Sequence, residues 1–402
     1  MIKRDLYINQ LKMLIGDPLI KVITGMRRVG KSTLLLLIQD ELMLRGVSEK
    51  QIIHINFELL DYEELRKPKM LNEYLEAHLS SNEKYYLFLD EIQEVDGFEK
   101  VINSINIKYD ADIYVTGSNS KLLSGELSTH LTGRYFSLEL YPLSFLEIVN
   151  NLKTRKIQFD PEQEFINYIN YGGLPAIQRF RKQEDLIKGY LEDIYSSILL
   201  NDIVARYSIR DVDLLKRFMK YLLHNVGQIF SAQSIVNFLK SESRSLSRET
   251  LYNYLEACKN AFLIYSAPRY DIKGKQVLKT REKYFTNDLG IRGLFYSNGA
   301  DVGQALENIV YLQLLRQGYR VYVGEFADQE IDFIAEKGGD KLYIQVAYLL
   351  ANDDTINREF SALENIQDNY PKYVLSMDKI KMERNGIKHL NIIDFLLGEN
   401  NL

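Results

Sequence analysis

Gly25, Met26, Arg27, Arg28, Val29, Gly30, Lys31 and Ser32, followed by Thr33, set two glycines five positions apart before a lysine and a hydroxyl. Glycines let a backbone curl until its N–H groups converge on an anion. A lysine placed next reaches terminal phosphates, and the hydroxyl after it holds Mg²⁺. An apolar run at 19–24 precedes the loop and a helical stretch follows, so the positive end of a helix dipole adds to the site. The stretch satisfies G-x-x-x-x-G-K-[ST] in full, and its chemistry is the binding of Mg·ATP.

A second acidic motif completes that chemistry. The apolar run 85–89 ends in Asp90 and Glu91. Asp90 is placed to reach Mg²⁺ through water, and Glu91 to orient the attacking water. A strand at 112–116 runs into Gly117, Ser118 and Asn119. If the strand order is 5-1-4-3-2, that strand lies between the loop strand and the acidic strand. Ser118 and Asn119 then compete for contact with the γ-phosphate, or form an ordinary polar turn. Arg134, just before an apolar run at 135–140, has two readings: a guanidinium offered to a neighbouring subunit's nucleotide, or a structural salt bridge.

These groups need a scaffold. Strands at 19–24, 51–57, 85–89, 112–116 and 135–140 alternate with helices at 31–45, 71–80, 98–108 and 143–150, the pattern of an α/β fold with a parallel sheet. Four of the strands are nearly continuous apolar runs, as strands covered on both faces are. The last alternates and reads as an edge or a hairpin. From 161 to 207 the period is helical, broken at Tyr171-Gly-Gly-Leu-Pro175. Helices at 214–226, 231–240 and 247–257, with Ser231 and Ser247 as N-caps, precede strands at 261–270 and 276–285; three helices and a hairpin make a winged helix-turn-helix. From 301 a helix, strands at 320–324, 331–335 and 341–347, another helix and a strand at 373–376 predict a small α/β domain.

Composition sets the limits. The chain has 402 residues, too many for one ordinary core, with 46% hydrophobic and 26% charged side chains. The single cysteine, Cys258, excludes an intrachain disulfide, and five histidines at 54, 78, 130, 224 and 389 show no zinc-ligand spacing. No signal core or membrane-length apolar run is present, so a cytoplasmic protein without membrane contact is expected. The net charge of −5 argues against a wholly basic nucleic-acid coat but leaves room for a local patch. Residues 206–283 hold 15 Lys and Arg against 7 Asp and Glu. Arg244, Arg248 and Tyr252 at the start of the third helix, with Lys273 and Lys275 on the hairpin tip, suit phosphate contacts to DNA. The competing reading is a protein–protein module.

The stretches GMRRVGKST, YLFLDEIQ, TGSNS and LTGRYFSLELYPLSFLE resemble the AAA+ ATPases of bacteria and archaea that carry a C-terminal restriction-endonuclease-like domain. The resemblance implies four parts: an ATPase core at 1–150, a helical lid at 151–205, a winged helix at 206–295 and a PD-(D/E)XK-like α/β domain at 296–402. It also implies a homo-oligomer, plausibly a ring. The GGLP element lacks the arginine usual at the lid sensor, with Arg179 and Arg181 close behind it. In the C-terminal part the resemblance places Glu307, Asp332 and Gln345 at nuclease positions, while Ala347 stands where the nuclease lysine belongs. That loss favours a structural or DNA-holding role. The leading expectation is an oligomeric ATPase that couples Mg·ATP hydrolysis to DNA or a DNA-bound partner. A slow nucleotide switch acting on protein partners is the alternative, and an ATP-gated nuclease a further one.

Overall fold

In the computed structural model, residues 1–123, 131, 133–181, 183–241, 244, 246–327 and 329–399 are described. Thr132 of the TGR stretch lies outside them. The chain forms two compact units, residues 1–140 with 260–262, and 141–259 with 263–402. The expected lid, three-helix stretch and C-terminal α/β part therefore all belong to the second unit.

The first unit is a parallel five-stranded sheet: β1 (Ile20–Thr24), β2 (Ile52–Asn56), β3 (Tyr85–Asp90), β4 (Ala111–Gly117) and β5 (Tyr135–Glu139). Their order is β2-β3-β4-β1-β5, the expected 5-1-4-3-2 read from the other edge. Every residue of β1, β3 and β4 is buried, whereas the edge strands β2 and β5 are partly open. Central parallel strands covered on both faces are mostly apolar, which makes them legible as runs. Helices Lys31–Leu44, Pro68–His78 and Phe98–Lys108 connect them. One polar pair is built into this core. The fully buried Lys21 on β1 donates to Asp112 Oδ1 on β4 at 2.6 Å and to the Asp17 carbonyl at 2.6 Å. Asp112 also accepts from Gly16 N–H, so no charge there is left unpartnered.

The second unit begins with helices Phe145–Thr154, Pro161–Tyr171 and Glu184–Ser197, the last running on into a π-helix, Ile198–Ala205. Helices Val212–His224, Ala232–Ser241 and Arg248–Asn260 follow; the Ser231 and Ser247 hydroxyls accept from the N–H groups of Ser234 and Thr250, as the N-cap pattern predicts. Strands β6 (Ile264–Asp271) and β7 (Gln276–Thr286) form the expected hairpin. They continue into β8 (Arg320–Phe326), β9 (Gln329–Lys337), β10 (Asp340–Val346), β11 (Lys372–Ser376), β12 (Glu383–Arg384) and β13 (Ile387–Asn391). The order is β12-β13-β11-β10-β9-β8-β6-β7, with β6 parallel to β8 through Arg269–Val323 and Asp271–Glu325. The division expected near residue 295 thus falls within one sheet, two of whose eight strands precede it and six follow. Among the described residues no helix is long and apolar enough to cross a membrane.

The GGLP break has a specific cause. The buried Asp288 carboxylate accepts from Gly173 N–H at 2.7 Å and Gly290 N–H at 2.9 Å. A Cβ on Gly172 (φ +74°) would lie 2.1 Å from Asp288 Oδ1, and one on Gly173 2.3 Å from the Leu143 carbonyl oxygen. Only glycine fits at either position.

Candidate nucleotide site

The loop between β1 and the helix Lys31–Leu44 is shaped by its glycines. Gly25 has φ +147°, and a Cβ there would stand 2.3 Å from the Leu140 carbonyl oxygen. Gly30 caps the helix at φ 102°, and Arg28 is also left-handed at φ 67°. Met26 and Val29 of the loop are buried, Arg27 pairs with Glu58 at 3.2 Å, and Ser32, exposed, and Thr33, half-buried, lie in the first turn of the helix. A buried arginine that sequence reasoning missed, Arg4, donates to the Val29 carbonyl at 3.1 Å and braces the loop.

Lys31, 4% exposed, turns its ammonium onto the loop's own carbonyls, Gly25 at 3.1 Å and Met26 at 3.4 Å, and onto Glu91 Oε1 at 3.2 Å. Glu91 stands at the end of β3 in the left-handed region, φ 55°, and Gln93 Nε2 donates to its other oxygen at 2.5 Å. Burial works to raise the Glu91 pKa, but the Lys31 charge and the Gln93 and Lys31 hydrogen bonds outweigh it and hold the carboxyl below its ordinary range. It is a carboxylate at neutral pH.

Thr116 on β4 joins the two acids. Its hydroxyl accepts from Glu91 N–H at 2.9 Å and donates to Asp90 Oδ1 at 2.5 Å. Asp90 is fully buried and its second oxygen, Oδ2, has no hydrogen-bond partner. An unpaired buried carboxylate oxygen is costly unless a cation or water meets it. Together with the Gly25 cradle, it fits the phosphates and Mg²⁺ of a nucleotide, with Ser32 and Asp90 on the metal side.

Ser118 and Asn119 are both buried just past β4, and Ser118 Oγ has no hydrogen-bond partner. The structure brings both beside the acids' strand and does not choose between them. Arg134 is not drawn into the cluster. It is exposed, and its guanidinium donates to Asn103 Oδ1 at 2.7 Å.

In the second unit the nuclease-like positions do come together, with a partner the sequence did not reveal. Lys283 on β7 lies 2.6 Å from Glu330 Oε1 and 3.4 Å from Glu307 Oε2, and is 4% exposed. Burial lowers its pKa, but Glu307, Asp332 and Glu330 together overcome that, and Lys283 stays an ammonium. Burial pushes the Glu307 carboxyl up to about 6 against the pull of Lys283; burial and Glu307 raise Asp332 well above the carboxylate range. Gln345 is spent on structure: its Oε1 accepts from Asp332 N–H at 2.7 Å and its Nε2 donates to Glu359 at 3.0 Å. Ala347 is buried. Among the described residues no group of three or more His, Cys, Asp and Glu is arranged to hold a metal ion.

The residues expected at DNA are partly engaged already. Arg244 donates to Asp213 at 3.0 Å and Arg248 to Gln233 at 3.2 Å, while Tyr252 is 56% exposed. Lys273 lies over the Phe326 ring at 5.0 Å, and Lys275 sits exposed on the hairpin tip at φ 51°. Arg181, a candidate lid arginine, is held in a bidentate pair with Glu164 at 2.8 and 2.9 Å; Arg179 is exposed.

Comparison with known proteins agrees with this geometry. A family model described as an AAA domain matches residues 17–149, and one described as a domain of unknown function matches 162–301. A Walker-type ATPase of Pyrococcus abyssi shares the fold at 15% identity and a TM-score of 0.50, over 73% of this chain and 96% of that one. A protein of Haemophilus influenzae described as uncharacterized is 39% identical over 400 residues, 99% of each chain. Another from Methanocaldococcus jannaschii is 33% identical over 362 residues, 86% of this chain and 78% of that protein. Residues 17–149 are an AAA domain with the fold of an AAA-type ATPase, and the chain as a whole belongs to one family with these two relatives.

Proposed function

We propose that the protein binds and hydrolyses Mg·ATP as an oligomer, and couples this to binding or remodelling DNA or a DNA-bound partner. The observation that carries the hydrolytic part is the Thr116 clamp. One hydroxyl fixes Asp90 and the Glu91 backbone together, leaving Asp90 Oδ2 for the metal side and the Glu91 carboxylate for a water. Bound Mg²⁺ supplies charge neutralisation at the phosphates. The loop N–H groups and Lys31 hold the phosphates, Glu91 orients the attacking water and accepts its proton, and Ser118 or Asn119 contacts the γ-phosphate.

Oligomer action is supported by Arg134, which is exposed and held by Asn103 rather than by an acid of the loop cluster. Support for DNA is the basic excess of 206–283, part of which gathers on one surface. On the helix Val212–His224, Lys216, Arg217 and Lys220 rim a 330 Å³ pocket walled by Tyr195 and Phe295, cations beside stacking rings. A slow switch is the second reading, favoured by the Lys31–Glu91 pair, which nucleotide must break before Glu91 can act.

The test is the ATPase rate against protein concentration, with and without duplex and single-stranded DNA, for wild type and Glu91→Gln. A rate that climbs with concentration and DNA, and is lost in the variant, supports the coupled oligomer. A slow rate indifferent to both moves the assignment to the switch.

A further inference from the structure

Just beyond Glu91 the chain turns back on itself. Glu91 is left-handed at φ 55°, and one turn of 3-10 helix, Ile92–Glu94, follows. Ile92 and Val95 are buried on either side of Gln93 and pin that turn. The Glu91 and Ile92 carbonyls accept from the N–H groups of Glu94 and Val95 at 3.1 and 3.0 Å. The Gln93 side chain is thereby returned to the residue that opened the turn, and its Nε2 donates to Glu91 Oε2 at 2.5 Å.

The other end of the carboxamide is held by space. Gln93 Oε1 is closed to water and has no hydrogen-bond partner. It packs against Gly117 at the end of β4, where an added Cβ would stand 2.7 Å from it and 2.8 Å from Leu122 Cδ2. Gly117 is not left-handed, so what calls for glycine there is this notch. A flipped carboxamide would set its oxygen against the Glu91 carboxylate, so the amide keeps its N–H on Glu91 and leaves its oxygen unpaired. A buried acceptor without a partner is costly, and its persistence asks for a reason in the site itself.

The reason lies in the two oxygens of Glu91. Lys31 holds Oε1 at 3.2 Å, and Gln93 holds Oε2. When phosphate draws Lys31 away, Oε1 is released while Oε2 stays tied. We propose that Gln93 is a positioning residue for hydrolysis: lodged in the Gly117 notch, it fixes the rotation of the Glu91 carboxylate and selects Oε1 as the oxygen offered to water. It acts through Glu91 and not on the nucleotide, and the inference rests on the assignment of Glu91 to the attacking water.

The test separates binding from hydrolysis. Gln93→Met keeps the length of the side chain and removes its donor. Gly117→Ala fills the notch from the other side, where the flexible ends of Gln93 and Leu122 can give way and the fold survives. Each variant is expected to bind a fluorescent ATP analogue with Mg²⁺ within about twofold of wild type, and to hydrolyse ATP in a single turnover about tenfold or more slowly, the loss of one hydrogen bond to a charged group. In a Glu91→Gln background neither substitution should slow the residual rate further. A second readout needs no nucleotide. The urea midpoint of the free protein should fall less in the Gln93→Met, Glu91→Gln double variant than the two single shifts added, because the pair shares one hydrogen bond. Absence of hydrolysis by wild type would defeat the ATPase reading, and the midpoints alone would then decide whether Gln93 holds Glu91. Unchanged rates in both variants, an equal loss of nucleotide affinity, or additive midpoints overturn the proposal.

Discussion

The Lys31 ammonium lies 3.2 Å from Glu91 Oε1, so the cation proposed for phosphate and the carboxylate proposed for water neutralise each other. Phosphate must draw the lysine away before the carboxylate is released. Glu91→Gln should therefore slow hydrolysis by about 10²–10⁴-fold, the range for loss of a general base, while ATP affinity holds or rises. Single-turnover rates and filter binding measure the two separately. A parallel loss of binding would reduce Glu91 to a brace for Lys31.

Thr116→Val keeps the shape of the side chain and removes its hydroxyl. Asp90 Oδ1 and Glu91 N–H then both lose their partner in a buried setting. The expected cost is about 1–3 kcal/mol in urea unfolding, with hydrolysis slowed more than nucleotide binding. A variant as stable and as active as wild type would show that the clamp is incidental.

How far these relationships could be read beforehand depends on sequence distance. The loop, Asp90 and Glu91 were legible because each is a local pattern on a buried parallel strand. Thr116 was visible only as the end of a strand; its role needs the pairing of β3 with β4, which sets it across from the acids. The two glycines after Tyr171 read as a chain break, but what requires them is remote: the Asp288 carboxylate, 115 residues on from Gly173, crowds Gly172, and the Leu143 carbonyl crowds Gly173. Lys283 was hidden for the same reason. With the hairpin assigned to a separate domain, no local signal carries β7 into the sheet that holds Glu330, beside the helix Val302–Arg316 that holds Glu307.

Asp288 gives the second unit a distinctive pH response. Burial raises its carboxyl to about 6, above the ordinary aspartate value of 3.8, against the N–H groups of Gly173, Gly290 and Ile291. Between those values the folded form binds more protons than the unfolded form, so stability falls as pH rises. The contribution is fully present below pH 3.8 and is lost as pH climbs through about 6. Glu91, held below its ordinary range, has the opposite sign and belongs to the first unit. Urea midpoints of the second unit should drop across this window in wild type and stay flatter in Asp288→Asn. Identical slopes would assign the window to other groups.

Lys283→Met removes the one ammonium shared by Glu307 and Glu330 and leaves Asp332 beside them. Lys283 is buried but the acids it leaves behind are only half-buried, so the cost falls short of the roughly 3–5 kcal/mol of a fully buried pair. The loss should shrink as pH falls, because Glu307, raised by burial even against the pull of Lys283, protonates more readily still without it. Adding Glu330→Gln should restore part of it, and the double-mutant cycle measures the coupling. The same variant bears on chemistry. If Lys283 serves only to join the hairpin to the sheet, DNA affinity and ATPase rate should follow stability alone once the variant is measured at a temperature where it is folded. A loss of DNA affinity in the folded variant would instead place the ammonium at the partner's phosphates, and a stability change below about 1 kcal/mol would mean that water already screens the cluster.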